Sequence, residues 1–282
     1  MNFKLMGTLN LKKMIKIKSP AKINLYLHIL SKLESGYHEI DSAFQLVDIC
    51  DELSFKESSM GVQVECDLGI EMHENIVYQA AMLLNETSDV NHSVKIEINK
   101  NIPTGSGLGG GSSNAATALV VLNRIWDIDL DKNELMALGA KLGADVPFFI
   151  NGSNAYVSGI GEKLVNKKSE SKDFLIIYPN THCSSAEMYK KFDRGTTLDL
   201  DKQNSFWNVY KSLNNEINDF VTKYRDDFKL CLSGSGSSMF VAYESHHELD
   251  KILKIIPSNW RFFLTKPLQY APLTMKFESY GV

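Results

Sequence analysis

A loop rich in glycine and serine, residues 103–114 (PTGSGLGGGSSN), carries the residue types best suited to bind an anion. Glycine lets the main chain approach a ligand closely and adopt positive φ without a Cβ clash. The apolar residues that follow recur at helical spacing: Ala115, Ala118, Leu119, Leu122 and Ile125. The start of a helix has unpaired N–H groups and a partial positive charge. With the strand-like alternation of residues 94–98, the sequence predicts a strand, loop and helix that bind phosphate.

Other interpretations of this loop remain open. Residues 105–110 match G-x-G-x-x-G, but a dinucleotide fold expects an acidic residue at the end of the next strand, about 20 residues on. The nearest acids here, Asp127 and Asp129, directly follow the helix instead. The chain has no P-loop lysine after the glycines and no H-R-D or D-F-G string of a protein kinase. A plain alternative is a glycine-rich turn in which Ser112 or Ser113 caps the helix.

Two charged residues elsewhere are candidates for catalysis, although their local patterns predict ordinary roles. Lys22 lies in a segment, residues 21–29, in which apolar and polar residues alternate as in a strand. On that pattern alone its side chain faces solvent. Asp145 stands two residues before Pro147, where an aspartate typically caps a helix.

Composition narrows the class of protein. The chain has 282 residues, 44% of them hydrophobic and 23% charged, as is typical of a globular protein. A net charge of −4 argues against a nucleic-acid or membrane-surface binder, and no apolar run approaches the 18 or so residues of a membrane span. The four cysteines form no C-x-x-C pair and the seven histidines no ligand spacing. This pattern indicates free thiols in the cytoplasm and predicts neither a disulfide framework nor a zinc site.

The elements that must position these residues interleave without strict β-α-β alternation, which favours an α+β fold. The sequence predicts strands over residues 21–29, 40–47, 52–55, 174–178 and 262–264 and helices over residues 74–85, 131–142, 186–192 and 206–224. Asp131 and Glu134 have the spacing of a capping box. A polar, lysine-rich stretch at residues 162–173 predicts a boundary between an N-terminal lobe, residues 1–168, and a C-terminal lobe, residues 169–282.

Several segments resemble, in order and content, the GHMP superfamily of small-molecule kinases, which includes galactokinase, homoserine kinase, mevalonate kinase and phosphomevalonate kinase. They are SPAKINL at 19–25, GYH at 36–38, GLGGGSS at 107–113, LGADVPFF at 142–149, GIGE at 159–162 and LSGSG at 232–236. The P-A-K-I-N-L start, the G-Y-H turn and the extra glycine of the loop are similar to the branch that phosphorylates 4-diphosphocytidyl-2-C-methylerythritol. The resemblance covers about residues 17–240.

This resemblance implies a two-lobed α+β fold with the active site in the cleft between the lobes. It implies transfer of a phosphoryl group from ATP, with Mg²⁺ alongside, to the tertiary 2-hydroxyl of the cytidine-linked methylerythritol. Asp145 would act as the base, paired with Lys22. By resemblance, these residues bind ATP: Asn75, Lys100, Pro103, Gly105, Gly107, Leu108, Gly109, Gly110, Gly111, Ser112 and Ser113.

The resemblance also implies an acceptor site in which Tyr37 stacks on the cytosine, His38 hydrogen-bonds its edge and Tyr189 covers the opposite face. The residues expected to contact the substrate are Asn24, Tyr37, His38, Ser185, Tyr189, Gly234, Ser235 and Gly236. The family starts a few residues before the P-A-K motif, so we expect residues 1–13 to be a dispensable leader. We expect a cytoplasmic monomer or weak homodimer that acts on a small molecule.

Three competing functions remain open on sequence grounds. A kinase for homoserine or a mevalonate-type acid would want a basic acceptor pocket, whereas the Tyr37–His38 pair suits a nucleobase. A nucleotide-binding regulator without catalysis has no need for a base, so the presence of Lys22 and Asp145 argues against it. A dehydrogenase, on the G-x-G-x-x-G match, predicts NAD binding.

Overall fold

Two β-sheets and eight α-helices make up the described part of the chain. The computed structural model describes residues 14–67, 69–193 and 203–273; the expected leader, residues 1–13, lies outside them. The strands are β1 (Ile15–Lys32), β2 (His38–Lys56), β3 (Val62–Cys66), β4 (Val94–Asn99), β5 (Ala155–Gly159), β6 (Lys163–Asn166), β7 (Asp173–Tyr178), β8 (Cys231–Leu232), β9 (Met239–Tyr243), β10 (Arg261–Thr265) and β11 (Pro267–Leu268). The helices are α1 (Ile76–Asn85), α2 (Gly110–Ile125), α3 (Lys132–Ala140), α4 (Val146–Asn151), α5 (Ser185–Phe192), α6 (Trp207–Lys211), α7 (Asn215–Phe228) and α8 (His246–Leu253).

The larger sheet has seven strands in the order β3-β4-β2-β5-β6, with β1 and β11 also paired to β2. The smaller sheet has four strands in the order β10-β7-β9-β8. All pairings are antiparallel except that of β3 with β4. The combination of largely antiparallel sheets and packed helices confirms the predicted α+β class. None of the described helices is long and apolar enough to cross a membrane.

The long hairpin of β1 and β2 differs most from the sequence prediction. Residues 40–47 and 52–55, predicted as separate strands, belong to the single strand β2. Register shifts interrupt its pairing with β1, one of them between Asn24 and Tyr26, so the simple alternation of faces is lost. Lys22 is only 3% exposed, because α2 packs on β1 and the neighbouring loops cover it. The prediction that Lys22 faces solvent is therefore wrong.

The predicted helix boundaries are largely reproduced, with one break. The Asp131 side chain accepts hydrogen bonds from the N–H groups of Asn133 and Glu134, and the Glu134 carboxylate accepts one from the Asp131 N–H, which confirms the capping box. The single helix predicted over residues 206–224 is two helices, α6 and α7. Asn214 separates them because its side chain accepts a hydrogen bond from Ile217 N–H and starts a new helix.

The two sheets part between β6, which ends at Asn166, and β7, which begins at Asp173. The C-terminal strand β11 nevertheless returns to pair with β2 at Val47 and Leu46 in the larger sheet. The lobe boundary at residue 168 stays a prediction.

Candidate active site

A cavity of about 580 Å³ lies where the β1–β2 hairpin, the glycine-rich loop and the starts of α1, α2, α4 and α5 meet. Most of the residues predicted from the sequence line it: Lys22, Asn24, Asn75, Lys100, Pro103, Gly105, Gly107, Gly109, Gly110, Gly111, Ser112, Asp145, Ser185, Tyr189, Gly234 and Ser235. Leu108, Ser113, Tyr37, His38 and Gly236 lie outside its lining. The structure thus brings together three sequence segments that are far apart in the chain.

The carbonyl groups of the glycine-rich loop are held by hydrogen bonds from other parts of the chain. Successive carbonyls accept as follows: Gly105 from Cys183 N at 2.8 Å, Ser106 from Ser238 N at 2.9 Å, Gly107 from Ser233 Oγ at 3.1 Å and Leu108 from Lys22 N at 3.0 Å. By contrast, the main-chain N–H groups of residues 105–112 donate to no other group of the described residues. The loop therefore carries a run of unused donors, which suits a phosphate.

Glycine is required at alternate positions of this loop. Gly105, Gly107 and Gly109 have φ values of 58°, 75° and 71°, a region that L side chains rarely adopt. At Gly107 a Cβ atom would also lie 2.2 Å from the Ser233 carbonyl oxygen. The close approach to Ser233 explains why the loop cannot carry a side chain there.

The serines of the loop do not cap helix α2. The helix begins at Gly110 with Gly109 in the capping position and no side-chain cap. The Ser113 hydroxyl instead accepts a hydrogen bond from Ser19 Oγ at 2.7 Å. The alternative of a turn capped by Ser112 or Ser113 is therefore wrong, and the start of α2 is left open to a ligand.

Asp145 occupies the capping position of α4, but its side chain makes no capping hydrogen bond. Its main chain is helical, with φ −83° and ψ −13°, and Pro147 at the second helical position has no N–H to donate. Its carboxylate Oδ2 lies 3.4 Å from Lys22 Nζ. The interpretation of Asp145 as a helix cap is therefore wrong, and the carboxylate, 31% exposed, faces the cavity.

Lys22 is held from several sides. Its ammonium group donates to Asn24 Oδ1 at 2.6 Å and lies 4.4 Å from the centroid of the Phe44 ring. Asn24 in turn donates through Nδ2 to Ser42 Oγ at 3.0 Å, which orients its carbonyl oxygen toward Lys22. Asn24, which the resemblance assigns to substrate binding, contacts Lys22 in this structure. Its contact with a substrate stays a prediction.

Two of the residues expected to bind a nucleobase, His38 and Tyr189, form an aromatic cluster, of which Tyr189 lines the cavity. The rings of His38 and Tyr189 stack at 4.7 Å with an interplanar angle of 22°. His38 Nε2 lies 2.6 Å from Asp193 Oδ1, and hydrogen bonds from Lys32 and His38 lower the pKa of Asp193. Burial raises the pKa of Tyr189 well above its ordinary value, so its phenol stays neutral. Tyr37 is 61% exposed at the hairpin tip.

Ser185, Asn75 and Lys100 also have partners within the chain. The Ser185 and Ser235 hydroxyls, both in the cavity lining, lie 2.9 Å apart and share a hydrogen bond. Asn75 caps α1 by accepting a hydrogen bond from Val77 N–H at 2.9 Å, and Lys100 forms an ion pair with buried Asp51. Their direct contacts with a ligand stay predictions.

Sequence reasoning missed three residues of this site: Asp51, Ser233 and Asp193. No local pattern singled out Asp51, because other acidic residues, Asp48 and Glu52, stand close to it in the same strand. Ser233 belongs to the small-residue loop at 232–236 but was not singled out. Nothing in the pattern around Asp193 indicates its contact with His38, which is 155 residues away.

Comparisons with known proteins identify relatives of this chain. Residues 75–153 match the family model of the GHMP kinases N terminal domain. The chain is 38% identical over 267 residues to the 4-diphosphocytidyl-2-C-methyl-D-erythritol kinase of Polynucleobacter necessarius subsp. necessarius, covering 87% of this chain and 90% of the relative. It is 37% identical over 273 residues to the kinase of the same name from Acinetobacter baumannii, covering 92% and 98%.

Solved structures of kinases share the fold of this chain. A crystal structure of 4-(cytidine 5'-diphospho)-2C-methyl-D-erythritol kinase matches with a TM-score of 0.74 and 28% identity, covering 90% of this chain and 99% of that one. Homoserine kinase from Cytophaga hutchinsonii matches with a TM-score of 0.71 at 16% identity, covering 94% and 98%, which shows the shared fold alone.

Proposed function

Since the chain belongs to the 4-diphosphocytidyl-2-C-methyl-D-erythritol kinase family, we propose that it transfers a phosphoryl group from ATP to the 2-hydroxyl of 4-diphosphocytidyl-2-C-methyl-D-erythritol. This reaction belongs to the non-mevalonate route to isoprenoid precursors. The observation that carries the proposal is the placement of the Lys22–Asp145 pair in one cavity with the unused N–H groups of the glycine-rich loop.

The glycine-rich loop is the proposed site for the ATP phosphates. Phosphoryl transfer spreads negative charge over the phosphate oxygens, so catalysis depends on donors that are already in place. The bonds to the carbonyls of Gly105–Leu108 hold the loop rigid in advance. The N–H groups at the start of α2 add the favourable end of the helix dipole.

Asp145 is the proposed base. Its carboxylate accepts the proton of the 2-hydroxyl while that oxygen bonds to the γ-phosphorus, and the bond from the γ-phosphorus to the β-bridging oxygen breaks to release ADP. Such assistance contributes about 10²–10⁴ in rate. Lys22, held by Asn24 and Asp145, stabilises the negative charge that develops on the acceptor oxygen.

The residues that line the cavity fit a Mg²⁺ ion that takes most of its oxygen ligands from ATP. Among the described residues no group of three acidic, histidine or cysteine side chains could hold a metal by itself. Mg²⁺ in nucleotide sites takes most of its ligands from phosphate and water, with one or two oxygens from the protein. The Ser112 hydroxyl and the Glu74 carboxylate line the cavity and would serve as those oxygens. The bound ion would neutralise charge on the phosphates.

The aromatic cluster is the proposed cytidine site. Tyr189, which lines the cavity, offers a ring for stacking, and His38 offers its Nδ1 to the base edge because Nε2 is already engaged by Asp193. Tyr37 at the exposed hairpin tip is proposed to cover the opposite face. Stacked rings beside the Asp193 carboxylate favour a nucleobase over the carboxylate of homoserine or mevalonate. We further propose that the protein works in the cytoplasm as a monomer or weak homodimer.

The test is substrate-dependent release of ADP from ATP and Mg²⁺. Purified protein would be assayed with 4-diphosphocytidyl-2-C-methyl-D-erythritol, homoserine and mevalonate as separate acceptors. We expect turnover with the first alone, and the phosphorylated product at the 2-position by ³¹P NMR. Turnover with homoserine or mevalonate at an equal or higher kcat/KM would overturn the substrate assignment while keeping the kinase.

A further inference from the structure

Asp51, at the foot of the glycine-rich loop, is a fully buried carboxylate with no part in the mechanism above. Its Oδ1 accepts hydrogen bonds from the main-chain N–H groups of Asn101 at 2.7 Å and Ile102 at 2.8 Å. Its Oδ2 accepts from Asn114 Nδ2 at 2.9 Å and from Lys100 Nζ. One side chain of β2 thus joins the end of β4, the entrance of the loop and the second turn of α2.

Two of these partners, Ile102 and Lys100, lie close to Gly110, the first residue of α2. A Cβ atom on Gly110 would lie 2.9 Å from Ile102 Cγ2 and 3.2 Å from Lys100 Nζ. Asp51 holds both Ile102, through its N–H, and Lys100, through its ammonium group. The position of the Gly110 N–H, one of the unused donors of the cavity, therefore depends on Asp51.

The arrangement around Asp51 is poorly explained by stability alone. A buried ion pair such as Lys100 with Asp51 loses hydration energy and is weak evidence of stabilisation. Asn114 donates to Asp51 and leaves its own buried Oδ1 without a hydrogen-bond partner among the described residues, which carries a further cost. A buried polar group without a partner in a native protein points to a functional role, stored strain or a further bound molecule.

We propose that Asp51 is a positioning residue for the nucleotide: it acts through Lys100, Ile102 and Asn114 to set the loop and the start of α2 against the phosphates. The choice of ATP as the nucleotide rests on the proposed function. It predicts that loss of the Asp51 charge weakens binding of ATP and leaves binding of the acceptor unchanged.

The experiment compares Asp51→Asn with the wild type by calorimetry, using a non-hydrolysable ATP analogue with Mg²⁺ and, separately, 4-diphosphocytidyl-2-C-methyl-D-erythritol. We expect affinity for the ATP analogue to fall at least about tenfold and affinity for the acceptor to stay within about twofold. In turnover, KM for ATP should rise while kcat at saturating ATP changes little. Asp48→Asn is the matched control, because Asp48 is also on β2 but bonds Thr265 and Lys266 away from the cavity; both affinities should be unchanged.

An Asp51→Asn variant that melts lower but binds the ATP analogue as the wild type does would overturn the proposal and leave Asp51 a structural residue. If that variant does not fold, the exchange Asp51→Asn with Asn114→Asp restores a carboxylate and an amide to the pair. The exchange should bind the ATP analogue within about threefold of the wild type; a folded exchange with tenfold weaker binding would overturn the proposal. Because nucleotide binding is measured without turnover, failure of the assigned acceptor reaction would remain distinguishable.

Discussion

The Asp145 carboxylate lies 3.4 Å from the Lys22 ammonium group and makes no hydrogen bond to the helix that it precedes. The pair joins β1 to the start of α4 at the wall of the cavity. An aspartate before a helix most often serves as its cap, and Asp131, before α3, does so in this chain. The contrast between the two aspartates indicates that Asp145 serves the cavity.

This contrast predicts opposite effects of two substitutions. Asp145→Asn should lower kcat at least about 100-fold with little change in the melting temperature, because it removes the base and no capping bond. Asp131→Ala should leave kcat unchanged and destabilise the protein by about 1 kcal/mol, because it removes a true cap. Steady-state kinetics and thermal melting of both variants provide the measurement. Wild-type turnover in Asp145→Asn would show that this carboxylate is not the base.

The sequence predicted the parts of this site that depend on short-range patterns. The loop, the helix that follows it and the capping box at Asp131 are determined by neighbouring residues, and all three are present, although α2 begins at Gly110, inside the stretch predicted as loop. Burial of Lys22 could not be predicted, because it depends on register shifts in the hairpin and on loops from elsewhere in the chain. The partnership of Asp51 with Asn114 spans 63 residues and leaves no local pattern.

Adjacent glycines of helix α2 should respond differently to alanine. At Gly110 a Cβ atom would lie 2.9 Å from Ile102 Cγ2, so Gly110→Ala should shift the loop, raise KM for ATP at least about tenfold and lower the melting temperature. At Gly111 the nearest atom is Ile76 Cγ2 at 3.8 Å, an ordinary contact. Gly111→Ala should leave the melting temperature unchanged or raise it, since alanine is favoured in helices by about 1 kcal/mol. Equal melting temperatures for the two variants would contradict this close packing at Gly110.

The thiol of Cys183 should be unreactive near neutral pH. Cys183 is buried, lines the cavity and donates its N–H to Gly105; burial raises the pKa of its thiol from 9.0 to about 11. The neutral thiol is thus favoured, and the thiolate fraction increases about tenfold per pH unit until pH approaches 11. Alkylation by iodoacetamide at pH 7.5, followed by peptide mass spectrometry, should be about 100-fold slower than for a free thiol of pKa 9. The rate should rise with pH and fall when an ATP analogue is bound. Rapid labelling at pH 7.5 would be inconsistent with a buried Cys183.

The ring of Tyr189 should affect KM for the acceptor and not KM for ATP. Tyr189→Leu removes an aromatic ring that lines the cavity, and stacking of a base on an aromatic ring is worth about 1–3 kcal/mol. KM for 4-diphosphocytidyl-2-C-methyl-D-erythritol should therefore rise about 5- to 150-fold, while KM for ATP stays within about twofold. Tyr189→Phe is the matched control, because it retains the ring, and its KM for the acceptor should stay within about threefold of the wild type. Separate titrations of the two substrates distinguish these effects. If Tyr189→Leu and Tyr189→Phe raise KM for the acceptor equally, the hydroxyl rather than the ring is what binds, and the cytidine site must be reassigned.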